Sequence, residues 1–359
     1  MSTDLERIQA LQGGTRRWYD IGEERFVTAT TVFIPFGCPD WGAPGGVRKP
    51  QLCPFCNLPD AAIAYQQEFY GGPIALEELA RLFRLTLRAA LESTPETHTL
   101  NIFNGGSFLY MPFELQAAVI RSVREMADVR RLVIESRANF ITPERVDPLL
   151  ELLGPVALTI RVGVETKEHH LRTKVLPKGQ SVEQLVTAGD CMRQRGVTSG
   201  GYVLLKPAPG YGGREALAEA EATIEWIVGS ENDSLGMNEA YFCAACVPPK
   251  GLLFEAWRAA AFQPATLSMV FEVIRFAAER FGRRVHLLPF TDVPPFVAIP
   301  SNHVPQGIPE DLTGATGCDL AFHAMFEKYR QTLDKAVLVE PSCPLCDQHS
   351  FPGSMGISP

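Results

Sequence analysis

Residues 27–56 of the chain, VTATTVFIPFGCPDWGAPGGVRKPQLCPFC, join a predicted β-strand to a loop rich in glycine and proline. The loop carries Cys38, Cys53 and Cys56 in the spacing C-x14-C-x2-C. Glycine and proline let a backbone wrap around a bound group, whereas a loop of this composition offers thiols little to pack against. The stretch therefore predicts a metal or redox site directly after a strand.

The overall composition is that of an ordinary globular protein. The chain has 359 residues, of which 46% are hydrophobic and 21% charged, enough for one large core with a smaller appended unit. The first residues, MSTDLERIQALQGG, are polar and charged, and no apolar run approaches the roughly 18 residues that a membrane span needs. We therefore expect a cytoplasmic protein with no membrane partner.

Charge and cysteine usage narrow the function further. The formal net charge of −8 gives no basic footprint for a polyanion, so that large DNA or RNA substrates are disfavoured. Nine cysteines in a reducing compartment do not indicate disulfides, and six of them fall in the motifs CPFC, CAAC and CPLC. Metal or redox chemistry is the better interpretation.

The alternation of strands and helices predicts the fold. Six short runs rich in β-branched and aliphatic residues alternate with stretches that carry apolar residues at helical spacing: VTATTVFIPF, HTLNIFN, RLVIES, VALTIRVGVE, GYVLLKP and NEAYFCAAC are the six runs. This βαβ repetition predicts a parallel sheet, with too few units for a complete eightfold barrel. We predict an α/β fold in which residues 27–246 form a partial (β/α)6 barrel. Residues 1–26 are a lead-in, and residues 247–359 are an irregular, cysteine-bearing extension with two helical stretches and the strand RVHLLPF.

The predicted barrel places the first three cysteines at its functional end. In parallel α/β barrels the chemistry lies on the loops that leave the carboxyl ends of the strands, and Cys38 follows the first predicted strand. Soft thiolates select iron–sulfur clusters or zinc, and three ligands leave one metal ion of a cluster able to take an outside ligand. The alternative is a structural zinc site whose fourth ligand lies elsewhere.

Further motifs follow in order along the barrel, each at the end of a predicted strand: NGGSFL, IESRANFIT, VGVETKEHHLRTKVLPKG and YVLLKPAPG. Together with the cysteine loop, they resemble the radical SAM superfamily, and within it the branch of the elongator catalytic subunit and the archaeosine-forming lyases. The resemblance implies a radical SAM barrel with a 4Fe–4S cluster on Cys38, Cys53 and Cys56, which would bind S-adenosyl-L-methionine (SAM) through its free iron. Reduction by a flavodoxin or ferredoxin system would release a 5′-deoxyadenosyl radical, so that the cofactor carries the difficult chemistry.

Residues at the ends of the second and third predicted strands are candidates for binding the cofactor. Gly105 and Gly106, followed by Ser107, allow close backbone approach, although a tight turn alone would also explain the glycines. Glu135 and Arg137 are separated by one residue and so share a face of the strand. Arg137 can pair with a carboxylate, and Glu135 can hold ribose hydroxyls or a substrate amine. The alternative is a salt bridge between the two at the barrel rim.

Three charged residues follow the next two strands, where the family's cofactor and substrate contacts fall. Glu165 and Lys178 are the candidates for catalysis, and Lys206 is a candidate for cofactor binding. A charge at the rim of a barrel is more often simply solvated. His169 and His170 lie in an exposed-looking loop, and we assign them no metal role.

A second set of cysteines, Cys318, Cys343 and Cys346, lies in the C-terminal extension. The helical stretch CDLAFHAMFEKYRQTLD separates the first from the other two, and its ends could be brought together into a three-thiolate site. The related lyase family also has a C-terminal cysteine group here, which implies an auxiliary 4Fe–4S cluster with one open iron. A zinc site completed by His349 or Cys246 is the alternative.

The motif CAAC at the end of the sixth run is ambiguous. Cys243 and Cys246 are an odd number of residues apart and would point to opposite faces of a strand, unless the strand ends at about Ala245. Cys246, nearer the rim, is then a candidate catalytic thiol, with a small buried core residue as the alternative. Cys191, on an amphipathic helix, is expected in the core.

Three functions are open at this point. The first is insertion of sulfur, carried by the auxiliary cluster, into a small molecule such as a nucleoside or nucleotide. Here the chain resembles radical SAM enzymes of pathways to 4′-thionucleoside antibiotics of the albomycin kind. The second is cleavage or modification of a tRNA base with the second cluster as an electron relay, against which the acidic charge stands. The third is a zinc-stapled scaffold, which leaves the ordered barrel motifs unexplained.

Overall fold

The computed structural model describes residues 3–40, 53–56, 58–126, 128–176, 180–231, 233–292 and 295–343. These form an α/β fold around one eight-stranded sheet whose strands lie side by side in chain order. The strands are β1 (Gln12–Asp20), β2 (Arg25–Phe33), β3 (Thr99–Phe103), β4 (Arg131–Ser136), β5 (Ala157–Glu165), β6 (Thr198–Leu205), β7 (Glu239–Ala244) and β8 (Val285–Leu287). Strand β1 pairs antiparallel with β2, and every later neighbour pair is parallel.

Most of the helices lie between consecutive parallel strands in the chain and cover the outer face of the sheet. They are α1 (Asp4–Gln9), α2 (Leu58–Tyr70), α3 (Leu76–Ser93), α4 (Phe113–Met126), α5 (Pro143–Leu153), α6 (Val182–Gln194), α7 (Gly213–Val228), α8 (Leu252–Arg258), α9 (Leu267–Phe281) and α10 (Gly317–Thr332). Their apolar stripes follow helical spacing, as Leu79, Leu82 and Phe83 do on α3. None of the described helices is long and apolar enough to cross a membrane.

The sheet has an apolar outer face and a polar inner face. On β5, Ile160, Val162 and Val164 are buried in the main hydrophobic cluster. Arg161, which alternates with them, instead lies 4.2 Å from the ring of Tyr241 on β7, measured from its guanidinium carbon to the ring centre. Because strand side chains alternate between faces, this pattern separates a helix-covered core from an interior lined by polar and aromatic groups.

The sheet curls until its two edge strands face each other across this interior. The indole of Trp18 on β1 stacks on the imidazole of His286 on β8, with ring centres 4.3 Å apart. Glu239 accepts a hydrogen bond from Tyr241 at 2.7 Å and lies 2.8 Å from a ring nitrogen of His286. Arg161 lies against both Trp18 and Tyr241, so these groups close the floor of the barrel. The predicted partial barrel is confirmed.

Two strands extend the sheet beyond the six predicted ones. Strand β1 lies in the predicted lead-in, where its interior side chains, Arg16 and Trp18, are not the aliphatic residues that usually indicate a strand. Strand β8 contains VHL of the predicted RVHLLPF strand, and it joins the barrel sheet through β7. The division at residues 246 and 247 stays a prediction, although residues from β1 to α10 contribute to one main apolar cluster.

Candidate metal and cofactor sites

The first cysteine loop leaves the carboxyl end of β2. The backbone N–H of Gly37 donates to the carbonyl of Asn104, 2.8 Å away, which ties the start of the loop to the turn after β3. Cys38 follows directly and is half-buried. Cys53 and Cys56 lie in a tight turn in which the N–H of Cys56 donates to the carbonyl of Cys53 at 3.1 Å. Cys38 thus lies at the carboxyl end of the parallel strands, as predicted.

Arg137 holds this loop from the end of β4. A terminal guanidinium nitrogen lies 3.8 Å from the sulfur of Cys38, and the same group forms an ion pair with Asp40. Burial alone would lower the pKa of Arg137, but the nearby Cys38 thiolate and Asp40 carboxylate outweigh burial and raise the pKa. A fixed positive charge therefore lies beside Cys38. A salt bridge with Glu135 was the alternative considered for Arg137, and the structure shows an ion pair with Asp40, a residue that the sequence analysis missed.

The turn after β3 packs directly against the cysteine loop. Gly105 has a φ of +71°, which a side chain would strain. A Cβ atom on Gly106 would lie 2.6 Å from the carbonyl oxygen of Gly37 and 2.8 Å from the Cα of Cys38. The hydroxyl of Ser107 accepts a hydrogen bond from the backbone N–H of Arg137 at 3.1 Å. These three predicted cofactor residues therefore join β3 and β4 to the Cys38 loop.

Glu135 has a separate partner inside the barrel. The hydroxyl of Tyr202, on β6, donates a hydrogen bond to the carboxylate of Glu135. Burial raises the pKa of Tyr202, and the adjacent carboxylate raises it further. Tyr202 was not among the predicted residues, because a single tyrosine in a strand is ordinary core or rim composition. Tyr202 and Glu135 together line the partly exposed interior.

The ends of β5 and β6 both have unusual backbone conformations. Glu165 and Lys206 are non-glycine residues with φ of +67° and +56°, and such outliers cluster at functional sites. Glu165 is buried beside an irregularity in the β5–β6 pairing. The ammonium of Lys206 donates to the carbonyl of Gln263 at 2.6 Å, and burial lowers the pKa of Lys206. In this structure Lys206 thus anchors the segment before α9.

The sequence analysis also considered Lys178, His169 and His170. Lys178 lies outside the described residues. His169 and His170 are exposed, as expected.

The CAAC cysteines occupy different environments. Strand β7 ends at Ala244, so the alternation argument does not extend to Cys246. Cys246, the predicted catalytic thiol, is 5% exposed and belongs to the main apolar cluster, as does Cys191. Cys243 is partly exposed. Burial raises the pKa of Cys243, and the carboxylates of Glu165 and Asp292 raise it further. These groups disfavour the thiolate form of Cys243, which lies near the predicted catalytic Glu165.

The second cysteine set converges with a histidine that the sequence analysis missed. A ring nitrogen of His303, Nε2, lies 2.7 Å from the sulfur of Cys318 and 3.5 Å from that of Cys343. Of the described residues, these three form the one group of His, Cys, Asp or Glu side chains whose donor atoms all lie within 4.8 Å of one another. Cys346 and His349, also considered as ligands, lie outside the described residues. Cys318 and Cys343 are thus brought together as predicted.

The donor set at His303, Cys318 and Cys343 fits a metal centre. Two thiolates and an imidazole suit zinc or an iron–sulfur cluster. Around a single tetrahedral ion, nitrogen and sulfur ligands lie about 3.5 Å apart, which is the separation of His303 and Cys343. A cubane, whose ligands bind different irons, requires the donor atoms to spread further. The residue types suit both centres, but these donor atoms would have to move apart to hold a cubane, and the metal content distinguishes the two.

Comparison with known proteins finds sequence relatives of this chain. No family model matches the chain. Archaeosine synthase subunit beta of Methanosarcina acetivorans is 29% identical over 255 residues, which cover 70% of this chain and 66% of that protein. The subunit of the same name from Thermococcus kodakarensis is 26% identical over 268 residues, 72% of this chain and 74% of that protein. The chain therefore spans slightly less than two thirds of the Methanosarcina relative.

Solved structures with partial similarity include Elp3 of Methanocaldococcus infernus, 16% identical, which aligns over 70% of this chain and 58% of that one with a TM-score of 0.49. The radical SAM methyltransferase TsrM of Kitasatospora setae is also 16% identical, over 64% of this chain and 37% of that one, with a TM-score of 0.41. The comparison rests on the sequence relatives and not on these structures. By its sequence relatives and its motifs, this chain resembles the branch of the radical SAM superfamily that contains the elongator catalytic subunit and the archaeosine-forming radical SAM lyases.

Proposed function

We propose that the protein is a radical SAM enzyme that inserts sulfur into a small substrate and draws the sulfur from a second metal centre in the same chain. The observation that carries this proposal is the convergence of His303, Cys318 and Cys343 into a soft-ligand site separate from the Cys38 loop. A second site of this kind would hold sulfur apart from the cluster that makes the radical. An electron relay is the other use, and the experiment below separates the two.

The chain's own residues account for the arrangement of the first site. Cys38, Cys53 and Cys56 would hold a 4Fe–4S cluster, which when bound would supply the electron that cleaves SAM to a 5′-deoxyadenosyl radical. Arg137 and Asp40 fix the loop and its charge, and the glycine turn at Gly106 brings β3 against it. A positively charged guanidinium at this position can also pair with the carboxylate of SAM.

The barrel interior is suited to a small polar substrate. Glu135 and Tyr202 offer a carboxylate and a hydroxyl that are already hydrogen-bonded to each other, which orients both groups. The stacked floor of Trp18, Arg161 and Tyr241 closes the interior from below. The small substrate that we propose is a nucleoside or nucleotide, as in 4′-thionucleoside pathways. The net charge of −8 agrees with a small substrate in the cytoplasm, with electrons supplied by a flavodoxin or ferredoxin.

The relatives support a second candidate. Both are named archaeosine synthase subunit beta, which favours modification of a tRNA base by a radical mechanism without sulfur transfer. In that case the second centre would relay electrons or stabilise the fold.

Metal analysis with isotopic sulfur tests the proposal. Anaerobic reconstitution of the whole chain should give about eight irons, the sum of two cubanes, and replacing Cys318, Cys343 and Cys346 by alanine should leave about four. That variant should still release 5′-deoxyadenosine from SAM but form no sulfur-containing product. Labelled sulfide built into the second centre should appear in the product. A wild-type protein with four irons and one zinc, or a product without label, would overturn sulfur insertion and favour the second candidate.

A further inference from the structure

A histidine lies at the centre of the second cysteine site. Nε2 of His303 is in contact with the sulfurs of both Cys318 and Cys343, at 2.7 and 3.5 Å. The three residues come from distant parts of the chain: a loop, the first turn of α10 and the segment after α10. We infer that His303 is a ligand of the metal centre formed with Cys318 and Cys343. The inference rests on the second centre of the proposed function and names one of its ligands.

The loop that carries His303 is closed at its base. The backbone N–H groups of Ile299 and Ile308 each donate to the carbonyl of the other, at 2.8 and 3.2 Å. Within the loop, the hydroxyl of Ser301 accepts from the N–H groups of His303 and Val304, at 3.1 and 3.0 Å. These bonds fix the backbone on both sides of His303. The imidazole is therefore held at the two sulfurs by its own loop.

The loop is also joined to the helix that carries Cys318. Asp319, the next residue, has no exposed surface, and a buried carboxylate needs hydrogen-bond donors. Its two oxygens accept from the hydroxyl of Ser301 at 2.7 Å and from the N–H of Asn302 at 2.9 Å. Asp319 thus locks the His303 loop against the first turn of α10. The relative position of His303 and Cys318 is set by protein contacts, as expected for a preorganised metal ligand.

A hydrogen bond between a histidine and a cysteine is the plain alternative. A hydrogen bond to Cys318 would explain one contact of the His303 ring nitrogen. That nitrogen has a single lone pair or proton to offer, so a hydrogen bond does not explain why Cys343 contacts it as well. The amide of Asn302 also approaches the sulfur of Cys318, at 3.9 Å, a position from which a donor would tune a metal-bound thiolate. Three ligand atoms with an oriented outer shell indicate a metal centre.

With His303 as a ligand, the second site no longer depends on Cys346 for its third ligand. His303, Cys318 and Cys343 already supply three ligands without Cys346. A cubane held by these three would keep one iron for sulfide or for Cys346, and imidazole in place of thiolate raises the reduction potential of a cluster. A single zinc would instead have three of its four ligands in place.

The test uses the full chain with the first cluster removed by Cys38→Ala, Cys53→Ala and Cys56→Ala, so that one centre is observed. The protein is reconstituted anaerobically with iron and sulfide, or loaded with zinc alone. His303→Ala is compared with His323→Ala, a control that removes another histidine of this region. His323 lies on the same helix as Cys318, with its ring against Phe290. His303→Cys keeps a metal ligand at position 303. It therefore distinguishes loss of a ligand in His303→Ala from loss of metal through misfolding.

With iron, we expect nitrogen coupling from ¹⁵N-labelled histidine in the pulsed EPR spectrum of the reduced cluster. The coupling should persist in His323→Ala and disappear in His303→Ala and His303→Cys, while His303→Cys retains iron and has a lower potential. With zinc, His303→Ala should weaken metal binding by about 100-fold or more, beyond the range for outer-shell residues, and His323→Ala should not.

Unchanged coupling or zinc affinity in His303→Ala would overturn the inference, as would a site that takes up neither metal. The proposed function can fail separately. Zinc bound through His303 would remove the sulfur source and leave His303 a ligand, whereas labelled product with no histidine coupling would support sulfur insertion and refute the ligand.

Discussion

The two cysteine regions of this protein are built in opposite ways. In the first, Cys38, Cys53 and Cys56 come from one stretch of chain, and the barrel supplies the charge and the packing around it through Arg137 and Gly106. In the second, the donor atoms of His303, Cys318 and Cys343 lie within 4.8 Å of one another but come from three separate segments. The ligands of the first region come from one stretch of chain, and the barrel supplies the residues around them. The ligands of the second region are brought together only by the tertiary structure.

The two regions are therefore sensitive to different substitutions. A loop that contains all its ligands can bind a cluster as long as the loop itself is intact, and the barrel then tunes the cluster and positions its ligand. A site assembled from distant segments is lost when any contact that aligns the segments is broken. The predictions that follow test this contrast, beginning with the largest expected effect.

Removing a ligand of the first region should abolish radical formation. Cys38→Ala, Cys53→Ala or Cys56→Ala should reduce 5′-deoxyadenosine formation from SAM below detection, because the cluster is the route for the electron. Cys318→Ala and Cys343→Ala are the matched controls and should leave this reaction intact. Chromatographic detection of 5′-deoxyadenosine is the measurement. Normal amounts from any of the first three variants would contradict the assignment of the cluster.

Arg137 should affect the cofactor without removing the cluster. Arg137→Ala should weaken SAM binding by about 2–3 kcal/mol, since a charge-assisted contact is lost in a shielded site. That corresponds to roughly 30- to 150-fold in Kd, measured by equilibrium dialysis of the reconstituted enzyme. Arg137→Lys keeps the charge but not the planar fork, so an intermediate loss is expected. Unchanged affinity in Arg137→Ala would limit its role to the ion pair with Asp40.

Asp319 should matter only for the second region. Asp319→Ala removes the acceptors of Ser301 and Asn302, so the His303 loop loses its link to α10. We expect metal affinity at the second site to fall by about 10- to 100-fold, as for other residues that orient metal ligands. Asp319→Asn keeps one acceptor and should lose less. Competition with a coloured chelator measures the affinity, and 5′-deoxyadenosine formation should stay at the wild-type level. Equal metal affinity in all three proteins would mean that the loop holds His303 unaided.

The sequence predicted the first region and only part of the second, for a physical reason. Cys38 follows a strand and shares a short loop with its partners, and Glu135 and Arg137 follow from strand alternation, so spacing alone was informative. Glu135 contacts Tyr202, and Arg137 contacts Asp40. These contacts depend on how neighbouring strands and loops align. No motif marks His303, which reaches Cys318 only because Ile299 pairs with Ile308 and Asp319 holds the loop. Contacts between residues that are far apart in the chain produce no periodic pattern in the sequence.

The smallest expected effect concerns the glycine turn against the first region. In Gly106→Ala the new methyl group would meet backbone atoms of Gly37 and Cys38 that have no side-chain freedom to withdraw. Overpacking of this kind costs about 1–3 kcal/mol, which the protein can reduce by moving the Cys38 loop away from β3. Gly72→Ala is the matched control, since nothing lies within 4 Å of its added methyl group. Chemical denaturation of both variants measures the free energy of unfolding. The iron content of each variant measures whether the Cys38 loop still binds its cluster. If the barrel supports the first region, Gly106→Ala should lose stability while His303, Cys318 and Cys343 still bind their metal. Equal stability of the two variants would mean that the loop adapts freely and that its contact with β3 is incidental.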